Sequence, residues 1–253
     1  MDWRKNSQQL KEAFDRDGFV VIPSFYTPQE TTALNAHIDR FITEALPQLP
    51  SDAAFYEVKG QTESIMRLQG MASYDDHFKE LTESDRFAKL AELLLDDGVI
   101  SKNMEWFTKP ARSDAETPPH QDGFYFMLEP NEALTLWLAL DTVNDENGCI
   151  HYARGSHRRG MRPHGQTAVF GFSLGVTDYG ETDYQEEAAI HAAPGDMIVH
   201  HCMTIHRAGS NATANPRRAL GLVYYAQRAK ADKERQEAYK KELMERWKKE
   251  GKI

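Results

Sequence analysis

Leu134-Thr135-Leu136-Trp137-Leu138-Ala139-Leu140 alternates without a break, with leucine at every even position and threonine, tryptophan and alanine between. Side chains two apart share one face of a β-strand and immediate neighbours oppose each other. The segment therefore predicts a strand with one wholly apolar face and one mixed face. The leucines suit packing against helices, and the Thr135, Trp137 and Ala139 face suits the lining of a cavity.

Outward from this strand, Val99 to Gln227 consists of short apolar or alternating runs divided by Gly, Pro, Asn and Asp, the texture of an antiparallel all-β unit. Strands are predicted near 103–108, 121–127, 133–141, 149–152, 187–192, 197–201, 204–208 and 218–226. Eight strands suit a double-stranded β-helix, a cupin-like jelly-roll barrel with an open mouth. In the last of them Arg217, Ala219, Gly221 and Val223 share a face opposite Leu220, Leu222 and Tyr224, so small side chains leave room for a ligand beside the guanidinium.

Helices flank this unit and are expected to buttress it. Ser7 to Arg16 carries Leu10, Ala13 and Phe14 inward ahead of a strand at Phe19 to Ile22. Thr27-Pro28-Gln29-Glu30 reads as an N-cap, a first-turn proline and a capping glutamate, opening a helix to Leu46. A further strand is expected at Ile65 to Gln69, and Phe87, Leu90 and Leu94 mark a helix over Ser84 to Leu95. The chain thus reads as one mainly β domain with helical additions over residues 1–228, followed by a charged helix over 229–253. That tail has an apolar seam of Tyr239, Leu243 and Trp247 with which to dock on the barrel or a second subunit, as a monomer or a homodimer.

Composition narrows the class of function. The 253 residues carry a formal charge of -9 and a pI near 5.6, which argues against a nucleic acid or an anionic membrane as the main partner. No apolar run is long enough to span a membrane, and Met1-Asp2-Trp3-Arg4-Lys5 leads into a polar helix rather than a signal-peptide core. Two cysteines, Cys149 and Cys202, fit a reducing cytoplasm better than a disulfide framework.

The candidate chemistry lies in His120-Gln121-Asp122 with a distant second imidazole, His206, beside which His200 and His201 compete. On an extended strand His120 and Asp122 share a face, and with another histidine they form a facial set on an octahedral metal, leaving three positions for reactants. Such a set suits Fe(II) activating O2, and Arg217 offers a fork for an organic carboxylate. His37-Ile38-Asp39 repeats the pattern, but on a helix, where residues two apart diverge.

Pro119-His120-Gln121-Asp122, Trp137-Leu138-Ala139-Leu140-Asp141, Glu146-Asn147-Gly148-Cys149, Gly155-Ser156-His157, Pro194-Gly195-Asp196, and His206 with Pro216-Arg217, together with the opening Asp17-Gly18-Phe19-Val20-Val21-Ile22, resemble the phytanoyl-CoA dioxygenase family in order and spacing. The resemblance covers roughly residues 10 to 228. It implies an Fe(II)- and 2-oxoglutarate-dependent oxygenase, with His120, Asp122 and His206 as iron ligands, chosen over His200 and His201 by the step to the Pro-Arg pair. It further implies Arg217 on the distal carboxylate of 2-oxoglutarate, Trp137 packed against that cosubstrate, and Arg67 near it; Thr135 joins them on the cavity face. Ala208 stands where many relatives have serine. Asp122, a carboxylate that iron halogenases of related fold lack, points to hydroxylation with release of succinate and CO2. Phe124 and Phe126, by alternation, and His157 and His164, in a basic run, are the candidate substrate contacts. A zinc hydrolase on the same barrel, or a small-molecule binding protein, are the competing classes. The expected substrate is a small anionic or zwitterionic metabolite.

Overall fold

In the computed structural model, which describes residues 3–50, 53–167 and 174–249, the leucine-rich strand is buried along its whole length. The strands in chain order are β1 (Phe19–Ile22), β2 (Ala54–Tyr56), β3 (Ile65–Gln69), β4 (Val99–Lys109), β5 (Thr117–His120), β6 (Leu128–Glu129), β7 (Ala133–Ala139) and β8 (Ile150–Ala153). They continue with β9 (His164–Gln166), β10 (Leu174–Val176), β11 (Glu187–Ile190), β12 (Met197–His201), β13 (His206–Ala208), β14 (Arg217–Ala226) and β15 (Lys230–Ala231). The helices are α1 (Ser7–Asp17), α2 (Pro28–Glu44), α3 (Asp76–Thr82), α4 (Asp85–Leu95), α5 (Asp122–Phe126), α6 (Glu181–Gln185) and α7 (Lys233–Lys249).

A large antiparallel sheet runs β1-β12-β7-β14-β4-β3-β2, and a smaller one runs β11-β8-β13-β5. The two pack through Phe19, Trp137 and Ile198 on one side and Ile150, Tyr152 and Ala188 on the other. Strands β12, β7, β14 and β4 with the four of the small sheet make the two halves of the expected jelly roll, and β1, β3 and β2 widen the larger half.

The two faces of the large sheet have separate duties. Leu134, Leu136, Leu138, Leu220 and Leu222 are fully buried and join one core with Leu34, Ile38, Phe41, Phe87 and Leu90 of the helices. Helix α2 starts where the sequence signals it: Thr27 accepts from the Glu30 amide while Glu30 reaches back to the Thr27 amide, and Pro28 needs no donor in the first turn. Ser84 caps α4 more simply, its hydroxyl accepting from the Arg86 amide. On the opposite face, register aligns Ala139, Ala219, Phe107 and Arg67 in one row and Thr135 with His200 in another.

One expected strand is replaced. Over 121–127 the chain leaves β5 at His120, passes Gln121 in extended conformation and turns into the short helix α5. The strand lies earlier, across Pro118-Pro119, which an edge position tolerates because no neighbour asks for their missing N–H groups. Gly123 makes the turn possible: its amide donates to Cys202 O at 2.8 Å, and a Cβ there would meet Asn131 and the Met203 sulfur within 3 Å.

The charged tail docks on this same region. Strand β15 pairs with β6, and Gln236 donates to Phe126 O at 2.6 Å. Trp247's side chain and residues 250–253, the remainder of the expected seam and helix, lie outside the described residues. No described helix is long and apolar enough to cross a membrane.

Candidate active site

Pairing of β13 with β5 sets His206 opposite His120, their rings 4.1 Å apart, and Asp122 at the start of α5 turns back towards both. His120 Nε2 lies 3.5 Å and His206 Nε2 3.9 Å from Asp122 Oδ1. Both rings are fixed from behind: Nδ1 of His120 is 2.9 Å from Pro118 O, and Nδ1 of His206 is 3.0 Å from Thr204 O. A carbonyl can only accept, so Nδ1 carries the proton and the Nε2 lone pair faces inward. Burial, reinforced by His120 and His200, pushes His206 well below the ordinary histidine range, so it is neutral, as a ligand must be.

The other oxygen of Asp122 is occupied. Oδ2 accepts from Thr135 Oγ1 at 3.0 Å and from His200 Nε2 at 3.1 Å, and Tyr152 donates its hydroxyl to His200 Nδ1 at 2.8 Å. Burial works to raise the Asp122 pKa, but the adjacent His120 and the hydrogen bond from His200 prevail and hold it well below the usual carboxylate range. The site thus presents two ring nitrogens and one carboxylate oxygen at mutual distances that a single ion would bridge, and this N2O set fits Fe(II).

Arg217 lines the same cavity, 5% exposed, with its guanidinium 5.1 Å from the Trp137 ring centre. Nη1 donates to Gly148 O at 3.1 Å, and Nε has no partner among the described residues. Burial lowers its pKa to about 10, which leaves it charged. A buried guanidinium without a carboxylate is costly, so the cavity is built to receive an anion. Directly across the strand pair sits Lys109, also buried, its Nζ donating to Ala115 O at 2.6 Å. Burial and then Arg217 push this lysine down to about 7. Nothing in the local sequence singles out Lys109; only strand pairing puts it beside Arg217. These two cations fit the distal carboxylate of 2-oxoglutarate.

Arg67 also reaches the cavity, over the Phe55 ring at 4.2 Å and 3.8 Å from Glu105. The expected substrate contacts fare differently, because helix α5 removes the alternation on which two of them depended. Phe126 turns to Tyr225, ring centres 5.2 Å apart, and packs against the main core. Phe124 stacks on His164 at 4.3 Å, and His164 Nε2 accepts from the Gln121 amide at 3.2 Å; neither ring lines the cavity. His157 packs against Gly18 at the end of α1, its Nε2 3.2 Å from Asp15 O. The basic run around it is satisfied internally: Arg159 pairs with Glu186 at 2.5 Å and Arg162 with Asp178 and Asp183 at 3.0 and 3.1 Å.

Two residues gain roles that the sequence did not signal. His200 orients Asp122 rather than competing for the metal. Gln121, wholly buried, donates to Met203 O at 2.8 Å and Gly160 O at 3.1 Å and accepts from the Arg162 amide at 2.8 Å, clamping the loops beside the site.

Comparison with known proteins bears on the family and the fold. The profile of the family described as Phytanoyl-CoA dioxygenase (PhyH) matches residues 14–219. The chain is similar to a probable alpha-ketoglutarate-dependent hypophosphite dioxygenase of Stutzerimonas stutzeri, 25% identical over 87% of this chain and 78% of that protein. It is 23% identical to the peroxisomal phytanoyl-CoA dioxygenase of Mus musculus over 85% of this chain and 67% of that protein. Among solved structures, the epimerase SnoN in complex with Fe3+, alpha ketoglutarate and nogalamycin RO superposes with a TM-score of 0.74 at 23% identity, covering 90% of this chain and 86% of that one. EvdO2 from Micromonospora carbonacea var. aurantiaca complexed with 2-oxoglutarate gives 0.69 at 28% identity, covering 88% and 91%.

Proposed function

The chain belongs to the phytanoyl-CoA dioxygenase family of Fe(II)- and 2-oxoglutarate-dependent oxygenases, and we propose that it hydroxylates a small anionic or zwitterionic metabolite. The observation that carries this reading is a buried, uncompensated Arg217 in the same cavity as the convergent His120, Asp122 and His206.

His120 Nε2, His206 Nε2 and Asp122 Oδ1 would hold the iron. When bound, iron with 2-oxoglutarate and O2 supplies oxidation of a substrate C–H bond, with succinate and CO2 as coproducts. The protein's own part is binding, orientation and exclusion of water. Arg217, assisted by Lys109, anchors the distal carboxylate of the cosubstrate through charge-assisted hydrogen bonds. Trp137 fixes the plane of the guanidinium, and the expected room beside Gly221 is instead taken by the Phe107 ring, which lines the cavity wall. Thr135 and His200 hold the Asp122 carboxylate so that one oxygen stays aimed at the metal. The wall carries both signs of charge, with Arg67 and Glu116 lining the cavity, which supports a substrate that itself bears a charge.

Anaerobic titration of Fe(II)-loaded protein with 2-oxoglutarate tests the assignment through the visible metal-to-ligand charge-transfer band of the chelate. The band is expected in wild type, and Arg217→Ala is expected to need far more 2-oxoglutarate to reach it. Folded, iron-loaded protein that gives no band would remove the cosubstrate assignment. A screen of charged metabolites by succinate release, with labelled O2 traced into product, then separates hydroxylation from other outcomes.

A further inference from the structure

A second set of ligand-type side chains converges where the Asp145–Asn147 turn meets β8. One ligand atom each from Asp145, Cys149 and His151 lies within 4.8 Å of the others. Cys149 Sγ is 3.3 Å from Asp145 Oδ1 and 3.5 Å from His151 Nε2. A tetrahedral Zn2+ site with ordinary Zn–S, Zn–N and Zn–O bonds has ligand-to-ligand edges of about 3.4–3.6 Å. A second histidine, His191, stands at the rim, its Nε2 3.0 Å from the other carboxylate oxygen, Asp145 Oδ2, and outside the three-residue group.

The protons do not suffice for a purely hydrogen-bonded cluster. His151 Nδ1 is 3.3 Å from Glu187 Oε2, and Arg207 grips that carboxylate at 2.6 and 2.7 Å while Tyr179 donates to it at 2.7 Å. His151 thus turns its Nδ1 edge to a carboxylate that other side chains hold in place. Its Nδ1 proton goes to Glu187, so Nε2 presents a lone pair to the cluster. His191 already meets Asp145 Oδ2, and His151 Nε2 receives nothing while the Cys149 thiol gives its one proton to Asp145 Oδ1. A cation in place of that proton satisfies all three donors. The histidine held through its other nitrogen by a carboxylate is the usual support of a zinc-bound imidazole, and exposed Asp145 and His191 give the ion a way in from solvent.

We propose that Asp145, Cys149 and His151, with His191 at the rim, form a second metal site, built for a borderline-soft divalent cation such as Zn2+ and separate from the His120, Asp122 and His206 centre. The sulfur donor gives it a different preference from the N2O set in the cavity. It would also stiffen the turn whose Gly148 carbonyl receives Arg217.

Cobalt(II) alone, added to the full-length protein, distinguishes the two sites because only the second contributes a thiolate. Wild type is expected to develop a near-ultraviolet thiolate-to-cobalt charge-transfer band that saturates by about two equivalents per chain, the first centre taking its share, and is bleached by Zn2+. His120→Ala should retain the band, Cys149→Ser should lose it, and His191→Gln should need about tenfold more cobalt. Asp145→Asn, at an exposed position, gives the same reading as Cys149→Ser should the latter fail to fold by circular dichroism. Absence of a sulfur band in folded wild type under excess cobalt overturns the proposal, as does a band that survives unchanged in Cys149→Ser and Asp145→Asn.

Discussion

Asp122 divides its oxygens between two tasks, and the division is testable one side chain at a time. Oδ2 is held by Thr135 and His200, which face each other across β7 and β12, while Oδ1 points at His120 and His206. Thr135→Val and His200→Ala each free the carboxylate to rotate, and each is expected to weaken Fe(II) binding by about 10–100-fold in an anaerobic titration. Unchanged affinity in both variants would place the orientation of Asp122 elsewhere. Lys109 offers a prediction of another kind. Its pKa is about 7 in the fold and about 10.4 in the unfolded chain. Below pH 7 both states are protonated and the folded state bears the whole cost of a buried charge, on the order of a few kcal/mol. Between about pH 7 and 10 the unfolded chain binds more protons, so stability gained by raising the pH returns that cost. Urea melts should therefore show Lys109→Met more stable than wild type at neutral pH and the gap closing towards pH 10; a gap independent of pH would mean that the lysine is not shifted. Both residues show what a sequence conceals. The spacing from His206 to Arg217 is written along the chain, but the meeting of Lys109 with Arg217, and of His200 with Asp122, is made by strand pairing between distant segments.

Helix α5 is the element where sequence pattern and structure part company. Five residues after a proline pair carry too little periodicity to separate strand from helix, and the outcome is set by Gly123 packing against Asn131 and Met203, contacts that no local pattern announces. The consequence reaches the substrate contacts, since Phe124 and Phe126 follow the helix instead of alternating. The longer elements are legible because their signals are redundant: α2 has a capping box, a first-turn proline and an apolar stripe that agree. The tail joins α5 to the rest of the molecule. Gln236 donates to Phe126 O, and Tyr239 meets Tyr125 with ring centres 6.2 Å apart. Replacing both by alanine is expected to cost about 1–3 kcal/mol and, because α5 begins with Asp122, to weaken Fe(II) binding as well. A variant that melts earlier yet binds iron normally would confine the tail to a stabilising role; one unchanged in both would show that the docking is incidental.

At the scale of the whole molecule, stability and chemistry lie on opposite faces of one sheet, and β7 carries the boundary between successive residues. Leu138 is fully buried among leucines and the helices, while Trp137 faces the smaller sheet and Arg217. The alternation of Leu134 to Leu140 displays this division along the chain itself, because a period of two is preserved by the pleat whatever the strand's neighbours are. It does not show which strands are neighbours, nor that the small residues Ala139 and Ala219 fall in one row, buried where the two sheets pack. The division predicts unequal consequences for adjacent substitutions. Leu138→Ala leaves a void in the main core and should cost about 2–5 kcal/mol in denaturant melts, with 2-oxoglutarate still producing the charge-transfer band in the fraction that is folded. Trp137→Leu keeps an apolar side chain but withdraws the ring from the Arg217 guanidinium, so cosubstrate affinity should fall while the melt moves less than for Leu138→Ala. If the two variants lose stability and affinity in the same proportion, the sheet acts as one cooperative unit without a functional face, and the assignment of Trp137 to the cosubstrate fails with it.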